Sequence, residues 1–291
     1  MINKKTFICI GAQKAGTSTL HDIIKQHPEI SLPKYKETHF FRDDEKFKKG
    51  INYYYDFYFD KLNTNIIGEI DPEYSFFDVC AERIKKSIKN VKIVFILRNP
   101  VDRAYSHYLM TKRRGLEDLS FHIALRKEKE RTITHHHKIH YSYVSRGLYL
   151  NQIERFEDVF GKQNIKIFLF EDLVFKTKRT VSDIINFIGL NPFEFDYDIK
   201  SNQASVIKSK ILRDFIYKPN ILKKGVGKLI PSKRIKDKIM FFLNKKNLKS
   251  SKKKELSNKE KNQIFKDYFV EDVNLLEKKL SLDLSHWKYE L

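Results

Sequence analysis

The sequence has few cysteines and no long apolar run, and each shortage excludes a class of protein. Cys9 and Cys80 are the two cysteines among 291 residues, too few for the disulfide framework of a small secreted domain. No apolar run approaches the roughly 18 residues of a membrane-spanning helix, and the N-terminal residues MINKKTF lack the apolar centre of a signal peptide. We therefore expect a soluble, cytoplasmic protein.

Acidic residues are scarce relative to basic ones. The chain holds 57 Lys and Arg against 37 Asp and Glu, a formal net charge of +20. This excess predicts an anionic partner, which could be a nucleic acid, a membrane surface or a small polyanion, although a biased genome would give the same composition. The sequence shows no internal repeat and no low-complexity linker. We predict a single domain over residues 1–291, with a basic helical C-terminal portion from about 211 to 291.

The most informative stretch is residues 7–27. Residues 7–10 are an apolar run typical of a strand that is buried on both faces of a parallel sheet. A polar loop bracketed by Gly11 and Gly16 follows, and apolar residues at helical spacing then continue until Pro28. A strand, a glycine-bracketed loop and a helix N-terminus together predict an anion site, because unpaired N–H groups and the helix dipole face the loop.

This loop nearly matches the nucleotide-binding pattern GxxxxGK[ST], but its lysine is displaced. Thr17 stands where a P-loop NTPase has lysine, and Lys14 lies inside the loop instead. An ordinary strand–turn–helix with a surface lysine is the alternative. The loop resembles the 5′-phosphosulfate loop of sulfotransferases that use 3′-phosphoadenosine 5′-phosphosulfate (PAPS). The resemblance implies that Lys14 contacts the oxygen that bridges phosphate and sulfate. It also implies that the neighbouring residues bind the 5′-phosphate; these are Ala15, Gly16, Thr17, Ser18 and Thr19.

A second apolar strand ends in an arginine. Residues 93–97 are all apolar, Arg98 follows them, and Asn99 and Pro100 predict the cap and first turn of a helix that runs to about Arg113. Ligands of open α/β sheets bind at the carboxyl ends of the strands, so Arg98 is placed to meet an anion.

The residues around this arginine also resemble a sulfotransferase motif. Arg98, Pro100, Arg103 and Ser106 match R-x-P-x-x-R-x-x-S, which in that family binds the 3′-phosphate of PAPS. The resemblance implies that Arg98 and Ser106 hold this phosphate. A kinase would instead end the strand in a magnesium-binding Asp, so the arginine weakens the alternative of a P-loop kinase.

Glu37 and His39 are candidate proton acceptors. An extended segment would point both side chains one way and Thr38 the other, and a carboxylate beside an imidazole is a plausible general-base pair. A solvated loop is the ordinary alternative. The sequence PKYKETHFF resembles the segment of carbohydrate sulfotransferases whose glutamate deprotonates the acceptor, with the histidine nearby. The resemblance maps these roles onto Glu37 and His39.

Two later segments also resemble the family. Residues 68–74, GEIDPEY, match one of its segments with two departures. Ile70 stands where many members carry a lysine that helps to hold the sulfate, and Asp71 stands where Ser or Thr is usual. The sequence does not show what replaces that lysine. In the late loop, residues 202–210, the resemblance implies a cofactor contact from Lys208.

Two stretches are open to more than one interpretation. A run of histidines suggests zinc, but no nearby cysteine or carboxylate pair completes a site, so we expect a solvated or cleft-lining loop and no required metal; the run is His135, His136, His137 and His140. Residues 218–254 are strongly basic around an amphipathic pattern. They fit a packed helix with solvated lysines, or docking on a polyanion or on the inner face of a membrane.

Together the motifs predict an α/β, P-loop-like fold with a central parallel sheet flanked by helices. They resemble most closely those of bacterial and heparan-sulfate-type carbohydrate sulfotransferases. The resemblance implies in-line transfer of a sulfuryl group from PAPS to a hydroxyl or amine of a carbohydrate, polysaccharide or glycolipid acceptor. Glu37 would be the base, His39 would orient the acceptor or share that role, and Lys14 would stabilise the leaving 5′-phosphate oxygen. The alternatives are a P-loop nucleotide kinase and a non-catalytic polyanion or nucleic-acid binder; a sulfotransferase would need no nucleic acid.

Overall fold

Five parallel strands form the centre of the computed structural model, which describes residues 4–198, 205–217, 239–240, 242–243, 246–250 and 255–289. The strands lie in the order β2-β3-β1-β4-β5. Their bounds are β1 (Lys5–Gly11), β2 (Ile30–Ser31), β3 (Ile66–Ile70), β4 (Val91–Leu97) and β5 (Ile165–Leu169). The apolar runs of β1 and β4 pair with each other in the middle of the sheet and are buried on both faces, as predicted.

Helices pack around this sheet, which confirms the predicted α/β architecture. They are α1 (Thr17–Ile24), α2 (Asp44–Phe47), α3 (Gly50–Tyr58), α4 (Val79–Ser87), α5 (Pro100–Arg113), α6 (Phe121–Arg126), α7 (Glu128–Arg131), α8 (His135–Tyr141), α9 (Leu150–Phe160), α10 (Phe170–Phe175), α11 (Thr177–Ile188), α12 (Lys210–Tyr217), α13 (Asn258–Tyr268) and α14 (Val270–Leu280). Single 3₁₀ turns cover Ser145–Gly147, Lys162–Asn164 and Ser285–Trp287. A separate antiparallel pair joins β6 (Ser205–Ile207) to β7 (Leu248–Ser250).

Two helix starts position the site, and each has the local cause that the sequence predicts. The helix α1 begins directly after Gly16. The helix α5 begins with Pro100 as its first residue, after Asn99, whose side-chain oxygen accepts hydrogen bonds from the backbone N–H groups of Val101 and Asp102. Both helices therefore start at the carboxyl edge of the sheet, where β1 and β4 end.

The structure corrects one expectation about helices. The histidine run is not a loop, because it forms α8, whose first turn is capped by the Thr134 hydroxyl. In the C-terminal portion, a capping box of Ser257 and Glu260 starts α13, and a break at Phe269 separates α13 from α14. The Phe269 side chain is buried and packs beside Gly147, so the break seats this ring in the core.

Aromatic residues of α3 mostly fill the core. Tyr54, Tyr55 and Tyr58 are at most 5 % exposed, whereas Phe57 lies at the surface. Cys9 and Cys80 are both unpaired and buried.

Most of the basic stretch 218–254 lies outside the described residues. Of its apolar residues that the structure describes, Ile239 and Phe242 are exposed. Within the described part of the chain, no helix combines the length and the apolar character needed to cross a bilayer.

Candidate active site

The carboxyl end of β1 carries the predicted anion loop. Gly16 precedes α1 with φ at +78° and offers no side chain to cap it, so the N–H groups of the first turn face the loop. A Cβ on Gly11 would lie 2.6 Å from the Phe95 ring and 2.6 Å from Ser75 Oγ. Local geometry thus requires both glycines. The resulting backbone cradle fits the phosphate end of the nucleotide that the sequence motif implies.

Lys14 and Arg98 lie close together at the ends of neighbouring strands. Arg98 Nη1 donates a hydrogen bond of 2.7 Å to the Lys14 carbonyl oxygen. The Arg98 guanidinium also stacks 4.5 Å from the centre of the Phe170 ring. The Nζ atom of Lys14 lies 4.0 Å from Met110 Sδ on α5. Because β1 and β4 are adjacent, the ends of these strands place two cations at one edge of the sheet.

The charge of Lys14 is held in an unfavourable environment. Burial, together with the positive charges of Arg113, Arg114 and Arg98, lowers the pKa of Lys14 to about 7, and the carboxylate of Glu37 acts weakly in the opposite direction. An anion bound in the loop would relieve this repulsion. The electrostatics of the loop therefore favour a negatively charged ligand.

The remaining members of the arginine motif divide into an accessible and a buried residue. Ser106 is partly exposed on α5 and lies four residues before Met110, so it shares a helix face with the residue that contacts Lys14. Arg103 is fully buried, and its Nη2 donates to the Tyr143 carbonyl oxygen. Ser106 can thus line a site beside the loop, whereas Arg103 is part of the core.

The segment from Glu37 to His39 is not extended, contrary to the expectation from sequence. Glu37 has φ at +63° and His39 has φ at +54°, the left-handed region that residues with a Cβ rarely adopt. Between them, Thr38 is buried and its Oγ1 donates a hydrogen bond of 2.5 Å to Glu69 Oε1. The turn leaves Glu37 and His39 partly exposed while Thr38 points inward. The predicted division of the three side chains therefore holds, but a strained turn produces it.

Glu37 is joined to the anion loop by a lysine to which the motifs assign no role. Lys36 Nζ lies 2.5 Å from Glu37 Oε1 and 3.0 Å from Ser18 Oγ, in the first turn of α1. The candidate base and the candidate phosphate loop consequently share one ammonium group.

His39 is oriented by Asp71, the residue that departs from the usual Ser or Thr. His39 Nδ1 lies 2.9 Å from Asp71 Oδ2, and the His39 backbone N–H donates a hydrogen bond of 2.7 Å to the same oxygen. Burial by itself would lower the pKa of His39, but the Asp71 carboxylate outweighs it and the pKa is raised. Burial would raise the pKa of Asp71, yet His39 and nearby backbone N–H groups lower it. The pair favours a negative Asp71 beside a positive imidazole.

Beneath this pair lies a layer of buried carboxylates that sequence reasoning missed. Glu69 is fully buried and accepts hydrogen bonds from the hydroxyls of Tyr54 at 2.6 Å and of Tyr74 at 3.1 Å. Burial and the nearby Asp71 charge raise the pKa of Glu69. The signal in the sequence was the alternation of acidic residues at 69, 71 and 73 at the end of an apolar strand, since buried carboxylates need partners.

The third of these carboxylates, Glu73, is paired with two arginines. Glu73 Oε2 lies 3.0 Å from Arg42 Nε, and Glu73 Oε1 lies 3.6 Å from Arg146 Nη2. Gln13 of the anion loop also donates a hydrogen bond of 3.3 Å to Glu73 Oε1. Glu73 thus connects the anion loop with the segment after β3, and it gives the buried Arg146 an ion-pair partner.

Two other sequence candidates are Lys208 and the histidine run. Lys208 lies directly after β6 with an exposed side chain, and its backbone N–H donates to the Asn247 carbonyl oxygen. Its contacts among the described residues do not reach the anion loop. Within the same described ranges, no three His, Cys, Asp or Glu side chains are grouped as a metal ion would require. In the histidine run, His135 Nε2 lies 3.3 Å from Arg42 Nη1.

Comparison with known proteins gives a consistent result across the chain. The family described as sulfotransferase domain matches residues 4–273. A solved structure, the sulfotransferase from Alicyclobacillus acidocaldarius, is similar with a TM-score of 0.65 and 28% sequence identity, covering 98% of this chain and 99% of that one. This similarity confirms the P-loop-like fold with a central parallel sheet.

Curated relatives match over shorter shares of their own length. Heparan sulfate glucosamine 3-O-sulfotransferase 3B1 of Mus musculus is 26% identical over 225 residues, which are 77% of this chain and 56% of that protein. Membrane-associated sulfotransferase kil1 of Dictyostelium discoideum is 34% identical over 105 residues, 35% of this chain and 22% of that protein. The chain spans no more than about half of the length of these relatives. The family match nevertheless covers nearly the whole chain and both nucleotide motifs, so this chain belongs to the sulfotransferase-domain family.

Proposed function

We propose that the chain is a PAPS-dependent sulfotransferase, which moves a sulfuryl group to a hydroxyl or amine of a carbohydrate or glycolipid-type acceptor. The observation that carries the proposal is the hydrogen bond from Arg98 to the Lys14 carbonyl oxygen, which joins the two nucleotide motifs at neighbouring strand ends. Two cation sites so placed suit a nucleotide with charged groups at both its 3′ and 5′ positions.

The donor side of the site consists of the loop and α5. The backbone and hydroxyls of residues 15–19 bind the 5′-phosphate at the start of α1, while Arg98 and Ser106 hold the 3′-phosphate. PAPS, when bound, supplies the sulfuryl group. Lys14 stabilises the negative charge on the 5′-phosphate oxygen as its bond to sulfur breaks. Fixing both ends of the nucleotide aligns sulfur with the incoming acceptor oxygen or nitrogen.

The acceptor side of the site consists of Glu37 and His39. Glu37 accepts the proton of the attacking hydroxyl or amine as the new bond to sulfur forms. His39, held by Asp71, orients the acceptor by hydrogen bonding. Its positive imidazole also stabilises negative charge on the reacting groups. The reaction needs no oxidant or reductant, since one S–O bond breaks, one bond to sulfur forms and one proton passes to Glu37.

The acceptor class rests on the relatives. The mouse relative is named for heparan sulfate glucosamine, a carbohydrate, and it aligns over most of this chain. A carbohydrate acceptor is therefore our first choice for assays.

Ligand-dependent melting tests the nucleotide part of the proposal. We expect 3′-phosphoadenosine 5′-phosphate (PAP) at about 100 times its dissociation constant to stabilise the chain by about 2.7 kcal/mol in EDTA, a rise of roughly 5–10 °C in melting temperature. ATP with magnesium should give a much smaller rise. A larger rise with magnesium-ATP would favour a kinase, and transfer of labelled sulfate from PAPS to a panel of oligosaccharides would test the reaction itself.

A further inference from the structure

Lys36 occupies a position that the proposed reaction leaves unassigned. Its side chain is 21 % exposed, and its ammonium nitrogen contacts Glu37 Oε1 at 2.5 Å and Ser18 Oγ at 3.0 Å. Burial raises the pKa of Cys9 in β1 and lowers the pKa of His21 in α1, and the nearby charge of Lys36 acts on both groups in the lowering direction. Lys36 therefore lies over the N-terminal turn of α1, at the carboxyl edge of the sheet.

In the proposed site, the two contacts of Lys36 lie on opposite sides of the sulfuryl group that is transferred. In the proposed site, Ser18 belongs to the residues that bind the 5′-phosphate, and Glu37 contacts the acceptor. In-line transfer places the acceptor atom, sulfur and leaving oxygen in one row, with the other sulfuryl oxygens around its middle. An ammonium group in contact with both Ser18 and Glu37 therefore lies beside the sulfur and its sulfuryl oxygens.

The position at which many relatives carry a sulfate-binding lysine offers no charge in this chain. Ile70 is 1 % exposed and packs in the core at the end of β3. Lys14 is assigned to the leaving oxygen. Lys36 brings a further ammonium group into contact with Ser18, in the first turn of α1, and with Glu37.

We propose that Lys36 is a second donor-binding cation, which contacts the sulfuryl oxygens between Ser18 and Glu37 and so supplies the charge that Ile70 cannot. This inference rests on the proposed function. The same lysine also couples the two sides of the site. When it turns from Glu37 to a sulfuryl oxygen, it leaves the carboxylate able to accept a proton from the acceptor.

The chain offers a matched control two residues away. Lys34 lies in the same loop and its Nζ pairs with Asp60 at 2.9 Å, on a carboxylate that is 75 % exposed. Lys34→Met and Lys36→Met remove the same charge from the same segment. They differ in whether the lysine contacts Ser18 and Glu37.

The experiment measures the dissociation constants of PAPS and PAP by calorimetry without acceptor, and then the turnover of sulfate transfer. We expect Lys36→Met to weaken PAPS binding more than PAP binding, because PAPS alone carries the sulfuryl group. Turnover should fall by about 100-fold, as after removal of one charge-stabilising donor elsewhere. Lys36→Arg, which keeps a cation, should recover part of both losses. Lys34→Met should leave both affinities and the turnover within about twofold.

The outcomes separate this inference from the proposed function. The assignment of Lys36 would be overturned if Lys36→Met and Lys36→Gln weakened PAPS and PAP binding equally, or if both variants had normal turnover. Sulfate transfer by the wild type would in that case still support the proposed sulfotransferase activity. The melting temperature of each variant shows whether it is folded. Lys36→Gln is included because it keeps hydrogen-bond donors for Ser18 and Glu37, so it can be measured if Lys36→Met does not fold. A wild-type chain that neither binds PAPS nor transfers sulfate would overturn the proposed function, and this inference with it.

Discussion

Lys14 and Arg98 reach the proposed donor site from the ends of two adjacent strands, whereas Glu37 and His39 reach the acceptor side from a loop between β2 and α2. On the donor side, the contacts are made by backbone: two required glycines, a helix N-terminus and the Lys14 carbonyl. On the acceptor side, two left-handed residues are kept in place by side chains beneath them.

Because the two halves are held in place differently, substitutions should affect them differently. The donor half depends on the sheet, so replacing one of its cations should remove binding energy without moving its neighbours. The acceptor half depends on the buried carboxylates Glu69, Asp71 and Glu73, each with its own hydrogen-bond or ion-pair partners. A change in those partners should alter chemistry through orientation rather than through contact with the donor.

The largest expected effect belongs to Glu37→Gln, which separates the two halves most cleanly. Glutamine keeps the size and hydrogen bonding of glutamate but cannot accept a proton at neutral pH. We expect transfer to fall by about 100- to 10,000-fold, the usual contribution of a positioned general base. Binding of PAP, measured by calorimetry, should stay almost unchanged because Glu37 is not placed on the phosphates.

The companion variant His39→Ala shows which side chain takes the proton. A deeper loss of transfer in His39→Ala than in Glu37→Gln would assign the proton to His39. Normal transfer in both variants would refute this acceptor site, and loss of PAP binding in Glu37→Gln would show that the two halves are not separable.

The second effect concerns Lys14. Lys14→Ala should reduce turnover by roughly 100-fold or more and PAP affinity by less, because the lysine acts chiefly on charge that develops as the bond breaks. The matched control is Lys25→Ala, directly after the end of α1, where Lys25 is exposed and pairs with Asp22; this variant should behave like wild type. Near-normal turnover of Lys14→Ala would reduce the loop to a structural element.

The lowered pKa of Lys14 adds a dependence on pH. Since the pKa of this lysine is about 7 and a bound phosphate favours its charged form, binding of PAP takes up a proton above that pH. PAP affinity should therefore fall as pH rises from 7 to 9, by at most about tenfold per pH unit. The phosphates of PAP also titrate, so the pH dependence of PAP affinity is measured for Lys14→Ala over the same range. The difference between the two proteins is the contribution of Lys14. Identical slopes for the two proteins would contradict the assignment.

A smaller effect should follow Asp71→Asn, which removes the carboxylate that raises the pKa of His39. We expect this pKa to fall, measured by NMR titration of the His39 ring, because the Asp71 carboxylate that raises it is gone. Transfer should drop by less than in Glu37→Gln, because the ring loses its orienting partner but stays in the site. The raised pKa stabilises the fold fully below the unfolded histidine value of about 6.5 and loses this contribution as pH rises through the folded value. The stability advantage of wild type over the variant should thus shrink from pH 5.5 to pH 8. An unchanged His39 titration would contradict this orientation.

The contrast between the halves also explains what sequence reasoning could reach. The strand ends, Gly11, Gly16 and the capped start of α5 follow from local patterns, because a buried parallel strand and a helix cap each have a recognisable composition. Lys14 and Arg98 could be expected at one edge of the sheet because each follows a parallel strand. The pairing of β1 with β4, which brings the two residues into contact, is seen in the structure alone.

The acceptor half could not be predicted in the same way. The left-handed turn at Glu37 and His39 is held by two hydrogen bonds, from the Thr38 hydroxyl to Glu69 and from the His39 backbone N–H to Asp71. Each spans about 30 residues of sequence, and no local pattern encodes such contacts. The pairing of Glu73 with Arg42 and Arg146 is likewise a tertiary arrangement. The contact of Lys36 with Ser18 became visible in the structure alone.

The ligand selectivity of Arg98→Ala tests most directly whether the ends of β1 and β4 bind the two ends of one nucleotide. The variant should lose about 10- to 150-fold in affinity for PAP, the equivalent of about 1.5–3 kcal/mol for a charge-assisted contact. Its affinity for adenosine 5′-phosphosulfate, which has no 3′-phosphate, should change little. Equal losses for both ligands in calorimetric titrations would show that Arg98 supports the loop through its bond to Lys14 rather than binding the 3′-phosphate, and would contradict the account.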